Sequence, residues 1–323
     1  MYKNKFIVQG LAVVCLMFAC AALAPAASRV FVSTGGNDNN SCGRNQPCRT
    51  FTAAVAAVDT GGEVVVLDSG GYGAVTITKS VQITAPEGIH AAITQNNGNA
   101  ISVAAGVGDT VVLRGLTLSG SNNLGINFDS GAELFVENCV ISNFFRGILF
   151  DAPGKLVVEN TSLRNNFVGI LTDAASGNVQ AEINRTSIEN GNLGVSIGAN
   201  TKALITYSNA SNNNFNGFSV IKNGVLTINH STAAHNGQNG FASEGGLSAV
   251  LNVDYCTATG NGNAGIIAGG GAQVTARVSN STATDNAIGF AQLNISIFES
   301  YGNNRVRGNT TNVSGVLTTV GEI

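Results

Sequence analysis

The sequence predicts an all-β fold, a single-stranded right-handed parallel β-helix (a solenoid) with a short N-terminal capping helix, and three observations predict it. First, a glycine followed by an apolar residue recurs at Gly125-Ile126, Gly147-Ile148, Gly169-Ile170, Gly194-Val195, Gly217-Phe218, Gly240-Phe241, Gly265-Ile266 and Gly289-Phe290, in steps of 22, 22, 25, 23, 23, 25 and 24 residues. Second, a small polar marker lies between the glycines at Cys139, Thr161, Thr186, Ser208, Ser231, Cys256 and Ser281, each followed four or five residues later by Asn. Third, alternating apolar pairs precede the markers: Leu134/Val136, Leu156/Val158, Ala181/Ile183, Ala203/Ile205, Leu226/Ile228, Leu251/Val253 and Ala276/Val278. A period of two is that of a strand with one buried face.

Each repeat is therefore a set of short strands punctuated by Gly and Asn, the residues that tolerate a left-handed backbone at tight corners. None of its segments has the length or periodicity of a crossover helix. A unit of 22–25 residues with strands and no helix buries its apolar face only by coiling and stacking on its neighbours. Leucine-rich repeats share the period but not the signature, and a propeller blade needs roughly 40 residues. Roughly ten coils are expected.

The ends differ from the middle. Residues 1–26 read as a signal peptide: Lys3 and Lys5, an apolar run from Phe6 to Leu23, and the small residues Ala24-Pro25-Ala26. Residues 27–60 read as an N-terminal cap, in which Cys42 and Cys48 close a small disulfide loop and Phe51, Ala54, Val55 and Val58 have helical spacing. Residues 61–323 are assigned to the solenoid, with the stretch around Tyr301-Gly-Asn-Asn-Arg305 expected to break register and form a closing cap.

Without residues 1–26 the chain carries 14 basic and 19 acidic residues, a net charge of −5. Clustered basic residues are absent, which argues against a nucleic-acid surface. Export to the periplasm, cell surface or medium is expected, with no membrane span after signal cleavage. Cys139 and Cys256 share one stacked column five coils apart, about 24 Å at about 4.8 Å per coil. That is too far for a disulfide, so both are expected to be buried free thiols.

The opening of the mature chain, Thr50-Phe-Thr-Ala-Ala-Val55, Gly61-Gly-Glu-Val-Val-Val-Leu67, Gly71-Tyr-Gly73 and Val75-Thr-Ile-Thr-Lys-Ser-Val-Gln-Ile-Thr84, resembles that of the pectin-lyase-like superfamily. The later coils resemble its generic repeats, so the resemblance covers essentially the whole mature chain. It implies the β-helix fold and leaves activity open among lyases, hydrolases, esterases, tailspikes and adhesins. A galacturonan hydrolase of that superfamily would bring paired aspartates, Gly-His-Gly and a late Arg-Ile-Lys. This chain has no Asp-Asp, His90, His230 and His235 lack the Gly-His-Gly context, and Arg305-Val-Arg307 only echoes the last motif.

Stacking brings three surface groups together. Asp129, Asp151 and Asp173 follow their glycines by four positions on successive coils. Carboxylates about 4.8 Å apart raise one another's pKa or recruit a cation such as Ca²⁺, and they also suit glycosidase chemistry. Turn-opening Asp is the competing explanation. Arg185, Tyr207, His230 and Tyr255 occupy one corner column on four consecutive coils, where Asn138, Asn160 and Asn280 supply the residue a tight corner favours. Projecting outward, the four would stack on and hydrogen-bond a glycan; alternatively they stack on each other, with Arg185 over Tyr207. Glu137 and Glu159, with Phe135, Val157 and Leu204 beside them, form an outward strand face that suits either solvent or a partner. The expected function is a non-catalytic exported β-helix that binds a polysaccharide or cell-surface glycan. The alternatives are a polysaccharide lyase or hydrolase at the aspartates and a structural, adhesin-like module.

Overall fold

A computed structural model describes residues 28–245 and 248–321. The proposed signal peptide lies outside the described residues. The described residues form a right-handed parallel β-solenoid of about 11 turns, one more than expected, with a single helix among them. Three parallel sheets of 13, 11 and 11 strands run its length. In one coil, Glu133–Glu137 belongs to the first sheet, Val140–Ser142 to the second and Arg146–Phe150 to the third.

The alternating pairs stack in the expected register. Leu134 pairs with Leu156, then Ala181, Ala203, Leu226, Leu251 and Ala276 follow coil by coil. All are buried. Phenylalanines stack within the core, Phe128 on Phe150 at 4.0 Å and Phe218 on Phe241 at 5.5 Å. A column of buried asparagines lines the corner between the second and third sheets. Asn213, Asn236, Asn261 and Asn286 each donate Nδ2 to the next coil's Oδ1, at 2.9–3.0 Å through Asn309.

The repeat glycines do not serve the purpose inferred from sequence. Gly125, Gly147, Gly169, Gly194, Gly217, Gly240, Gly265 and Gly289 are absent from the residues with positive φ. The left-handed corners are occupied mostly by Asn, Arg, Tyr and His, with Asp285 and the glycines Gly115 and Gly260, which lie outside the repeat series. What the glycines supply is space. A Cβ on Gly194 would lie 2.2 Å from the carbonyl oxygen of Gly217, and one on Gly240 would lie 2.7 Å from that of Gly265.

At the start, Arg29–Val32 pairs with Gly62–Val66, so the first sheet begins ahead of the helix and not at residue 61. Four residues of alternation are too few to stand out in the sequence. The helix Phe51–Ala57 is capped by Thr50, whose hydroxyl accepts from the Ala53 N–H at 3.2 Å, and it buries Phe51, Ala54 and Val55. Cys42 and Cys48 are disulfide-bonded, with Cα atoms 4.6 Å apart.

The C-terminal stretch keeps its register, contrary to expectation. Arg305–Val306, Thr311–Ser314 and Thr318–Thr319 extend the second, third and first sheets. Asn303 and Asn304 carry the ladder on through polar contacts, accepting from the Asn280 N–H at 3.0 Å and the Ser281 N–H at 2.8 Å. Apolar alternation therefore lapses where pairing does not.

Cys139 and Cys256 are free and buried. Each thiol donates to a carbonyl two residues earlier, Cys139 to Glu137 at 3.3 Å and Cys256 to Asp254 at 3.2 Å. Burial pushes both thiols up to about 12, which makes them inert at neutral pH.

Candidate functional site

The corner between the first and second sheets is turned by one residue per coil. Asn138, Asn160, Arg185, Tyr207, His230, Tyr255 and Asn280 hold it with φ between 47° and 54°. The four large residues form one continuous stack. The Arg185 guanidinium lies 5.8 Å from the Tyr207 ring centre, Tyr207 lies 5.1 Å from His230, and His230 lies 5.1 Å from Tyr255. Tyr207 is 58% and Tyr255 56% exposed. The contact expected between Arg185 and Tyr207 is present. The faces of Tyr207 and His230 are covered by their neighbours, so what they offer outward is ring edges, a phenol and an imidazole. Stacking of sugars on those two faces is thus closed off, and hydrogen bonding remains.

Beside this ladder runs the outward column Glu137, Glu159, Asn184, Thr206, Asn229 and Asp254. Glu137 pairs with Arg114 at 2.6 Å and Glu159 with Arg185 at 3.6 Å. Asp254 accepts from Ser279 at 2.8 Å and Asn280 at 2.9 Å. At the N-terminal end the loop of residues 85–89 bulges beside Gly115 and Asn138, enclosing with Arg114 a hollow of about 610 Å³. Gly115 is needed there: its φ is +74°, and a Cβ would meet the Ala85 carbonyl oxygen at 2.4 Å.

The third sheet brings the aspartates together. Pairing of Phe128 with Phe150 and of Phe150 with Thr172 sets Asp129, Asp151 and Asp173 on neighbouring coils. Desolvation and then the nearby Asp129 raise the pKa of Asp151, while Arg146 opposes the shift. Asp129 accepts from Asn127 at 2.8 Å. Asp173 pairs with Lys222 and accepts from the Ala199 N–H at 3.0 Å. Among the described residues no group of three His, Cys, Asp or Glu side chains is arranged to hold a metal ion.

Sequence reasoning missed several neighbours. Glu244 stands four residues after Gly240 and so belongs to the same column, three coils beyond Asp173 and past the gap left by Gly198 and Ile221. Its carboxylate accepts from Asn216 at 3.1 Å and Asn239 at 3.0 Å. Phe145 and Phe167, each two residues before a repeat glycine, stack at 5.1 Å on the rim of the same sheet and are exposed. Arg146 lies between that rim and the aspartates, with a buried Nε that has no hydrogen-bond partner. A fixed offset from the repeat glycine is the sequence signal shared by all of them, and it stands out only for the aspartates, which fall on successive coils.

Burial raises the pKa of Glu244 above the usual carboxylate value, with the hydrogen bond from Asn216 working against it. In the window between the ordinary and the raised value the native state holds a proton that the unfolded chain releases. Stability contributed by protonation is therefore complete below the ordinary value and is lost as pH rises through the raised one. Urea unfolding between pH 4 and 7 should show that decline, and Glu244→Gln should flatten it. Equal slopes for both proteins would refute the assignment.

The outward face of the first sheet has the columns expected. Leu204 is exposed, and Phe135 and Val157 are half-buried.

Two segments, residues 59–182 and 174–283, match the family described as right handed beta helix region. The chain belongs to that family. Among solved structures, this β-helix protein is similar to pectate lyase Pel9A, with 18% identity, a TM-score of 0.55, and coverage of 88% of this chain and 80% of that one. It is also similar to the mannuronan C-5 epimerase AlgE4 A-module of Azotobacter vinelandii, with 13% identity, a TM-score of 0.48, and coverage of 81% and 91%. No curated protein matches the sequence. The likeness is one of fold, that of a pectin-lyase-like right-handed β-helix.

Proposed function

We propose that this β-helix protein is exported and binds a polysaccharide or cell-surface glycan along the Arg185/Tyr207/His230/Tyr255 ladder without cleaving it. One observation carries the reading. Four consecutive rungs place large side chains in the left-handed region, where non-glycine residues other than Asn and Asp are disfavoured, while Asn138, Asn160 and Asn280 turn the same corner cheaply. Strain kept where the fold does not require it is a pointer to function. The Cys42–Cys48 disulfide supports export, since such bonds persist in oxidising compartments. No helix among the described residues is long and apolar enough to cross a membrane.

The test is retention of the purified protein on a panel of immobilised acidic and neutral polysaccharides, compared with the variant Tyr207→Asn/His230→Asn. Asn suits both positions, so the melting temperature should hold or rise. Retention should fall by at least about tenfold, as for loss of central contact residues. Unchanged retention would sink the reading, and so would a variant that unfolds, because the stack would then be structural.

A second reading, cleavage with Asp151 as proton donor, is favoured by the raised pKa of that group beside Asp129 and Arg146. It calls for new reducing ends or unsaturated uronide in the same incubations, lost in Asp151→Asn. Absence of both retention and cleavage would favour a structural module, with the Leu204 face as its contact.

A further inference from the structure

We infer that the polymer is a neutral, extended β-1,4-linked glycan lying along the solenoid axis with one sugar per coil; this rests on the glycan-binding reading of the same corner. The ladder has a fixed pitch. Its ring centres are 5.1 Å apart at both aromatic steps, and seven rungs from Asn138 to Asn280 share one backbone conformation. A pyranose joined through equatorial bonds at opposite corners gives a straight, flat chain that advances by close to this distance per residue. An α-1,4 linkage shortens the advance and coils the chain, and a β-1,3 linkage bends it away from a straight track. Only the first keeps to a straight track with one residue per coil, its successive residues turned over so that the same edge recurs on every second coil.

The exposed chemistry agrees with an edge-on contact. Both faces of the His230 ring are covered by tyrosines, so the ladder presents polar edges at regular intervals. Those suit the hydroxyl-lined edge of a flat glycan ribbon. Charge decides against a polyuronate. Arg185 and Arg114 are matched by Glu159 and Glu137, and Asp254 on the same flank has neutral donors only. An anionic polymer would find no unmatched cation there among the described residues. The hollow beside Gly115 and Asn138, walled by the loop of residues 85–89, stops the track at one end and would take the chain terminus.

Isothermal titration of the whole mature protein with cellohexaose, maltohexaose, laminarihexaose and hexagalacturonate tests linkage and charge at constant length. A series from cellobiose to celloheptaose tests register. Cellohexaose should bind at least tenfold tighter than the other three, and affinity should climb with every added sugar up to the longest. Equal or tighter binding of the α-1,4, β-1,3 or uronate chain would overturn the inference while leaving glycan binding intact, and so would a plateau at two or three sugars. Binding of no saccharide, or binding unaffected by Tyr207→Asn/His230→Asn, would instead overturn the reading on which it rests.

Discussion

Asn236→Ala is expected to lower the stability of the solenoid by about 4 kcal/mol. Asn236 is 1% exposed and sits midway in the asparagine column. Its Oδ1 accepts from the backbone N–H and the Nδ2 of Asn213, at 3.1 and 3.0 Å. Its Nδ2 donates to the Ala210 carbonyl at 3.1 Å and to Asn261 at 3.0 Å. Truncation strands buried donors and acceptors on both adjacent coils, and each costs about 1–3 kcal/mol. Asn214→Ala, at an exposed position of the same corner, should change stability by less than about 0.5 kcal/mol. Urea denaturation of the two variants checks the contrast, and similar midpoints would show that the column is not a stabilising element.

Gly194→Ala is expected to cost about 3 kcal/mol, although alanine is the smallest possible change. Overpacking a filled interior costs about 1–3 kcal/mol and occasionally more. Here the added methyl would sit 2.2 Å from a backbone oxygen and 3.2 Å from the Ala210 Cβ. Backbone cannot step aside without opening the strand pairing of Val195 with Phe218. Gly73, whose Cβ would meet nothing within 4 Å, separates the two roles of glycine. Gly73→Ala should pay only for its φ of +77°, about 1–2 kcal/mol. A Gly194→Ala protein as stable as the parent would refute the close-approach explanation.

These glycines show how much of the molecule was legible from sequence, and how. Their spacing disclosed the coil, and the columns read from it, such as Leu134 through Ala276 and Glu137 through Asp254, are the columns of the structure. Their role differs from the one their residue type suggests, because left-handed corners and close coil contacts both select glycine and a sequence does not distinguish φ from crowding. Pairing continued past Tyr301 through Asn303 and Asn304, where side-chain amides replace apolar alternation as the carrier of register. The site was legible only as adjacency. Column arithmetic put Arg185, Tyr207, His230 and Tyr255 side by side, but it could not say that two of the rings would spend both faces on each other. Glu244 lay in plain view at the aspartate position and escaped because its coil is not next to theirs. The Lys222 contact that occupies Asp173 spans two coils and follows no repeat.

The two buried thiols give the molecule a pair of internal clocks. Cys139 and Cys256 lie in the same column, one in the N-terminal half and one toward the C-terminal end, each sealed from water. A thiol reagent reaches either sulfur only when the surrounding turns part, so the rate of each modification measures the opening of its own segment. Unwinding from one end would label one cysteine well ahead of the other, whereas an all-or-none transition would label both at a single rate. The natural sequence thus already carries the probes needed to tell fraying from concerted unfolding.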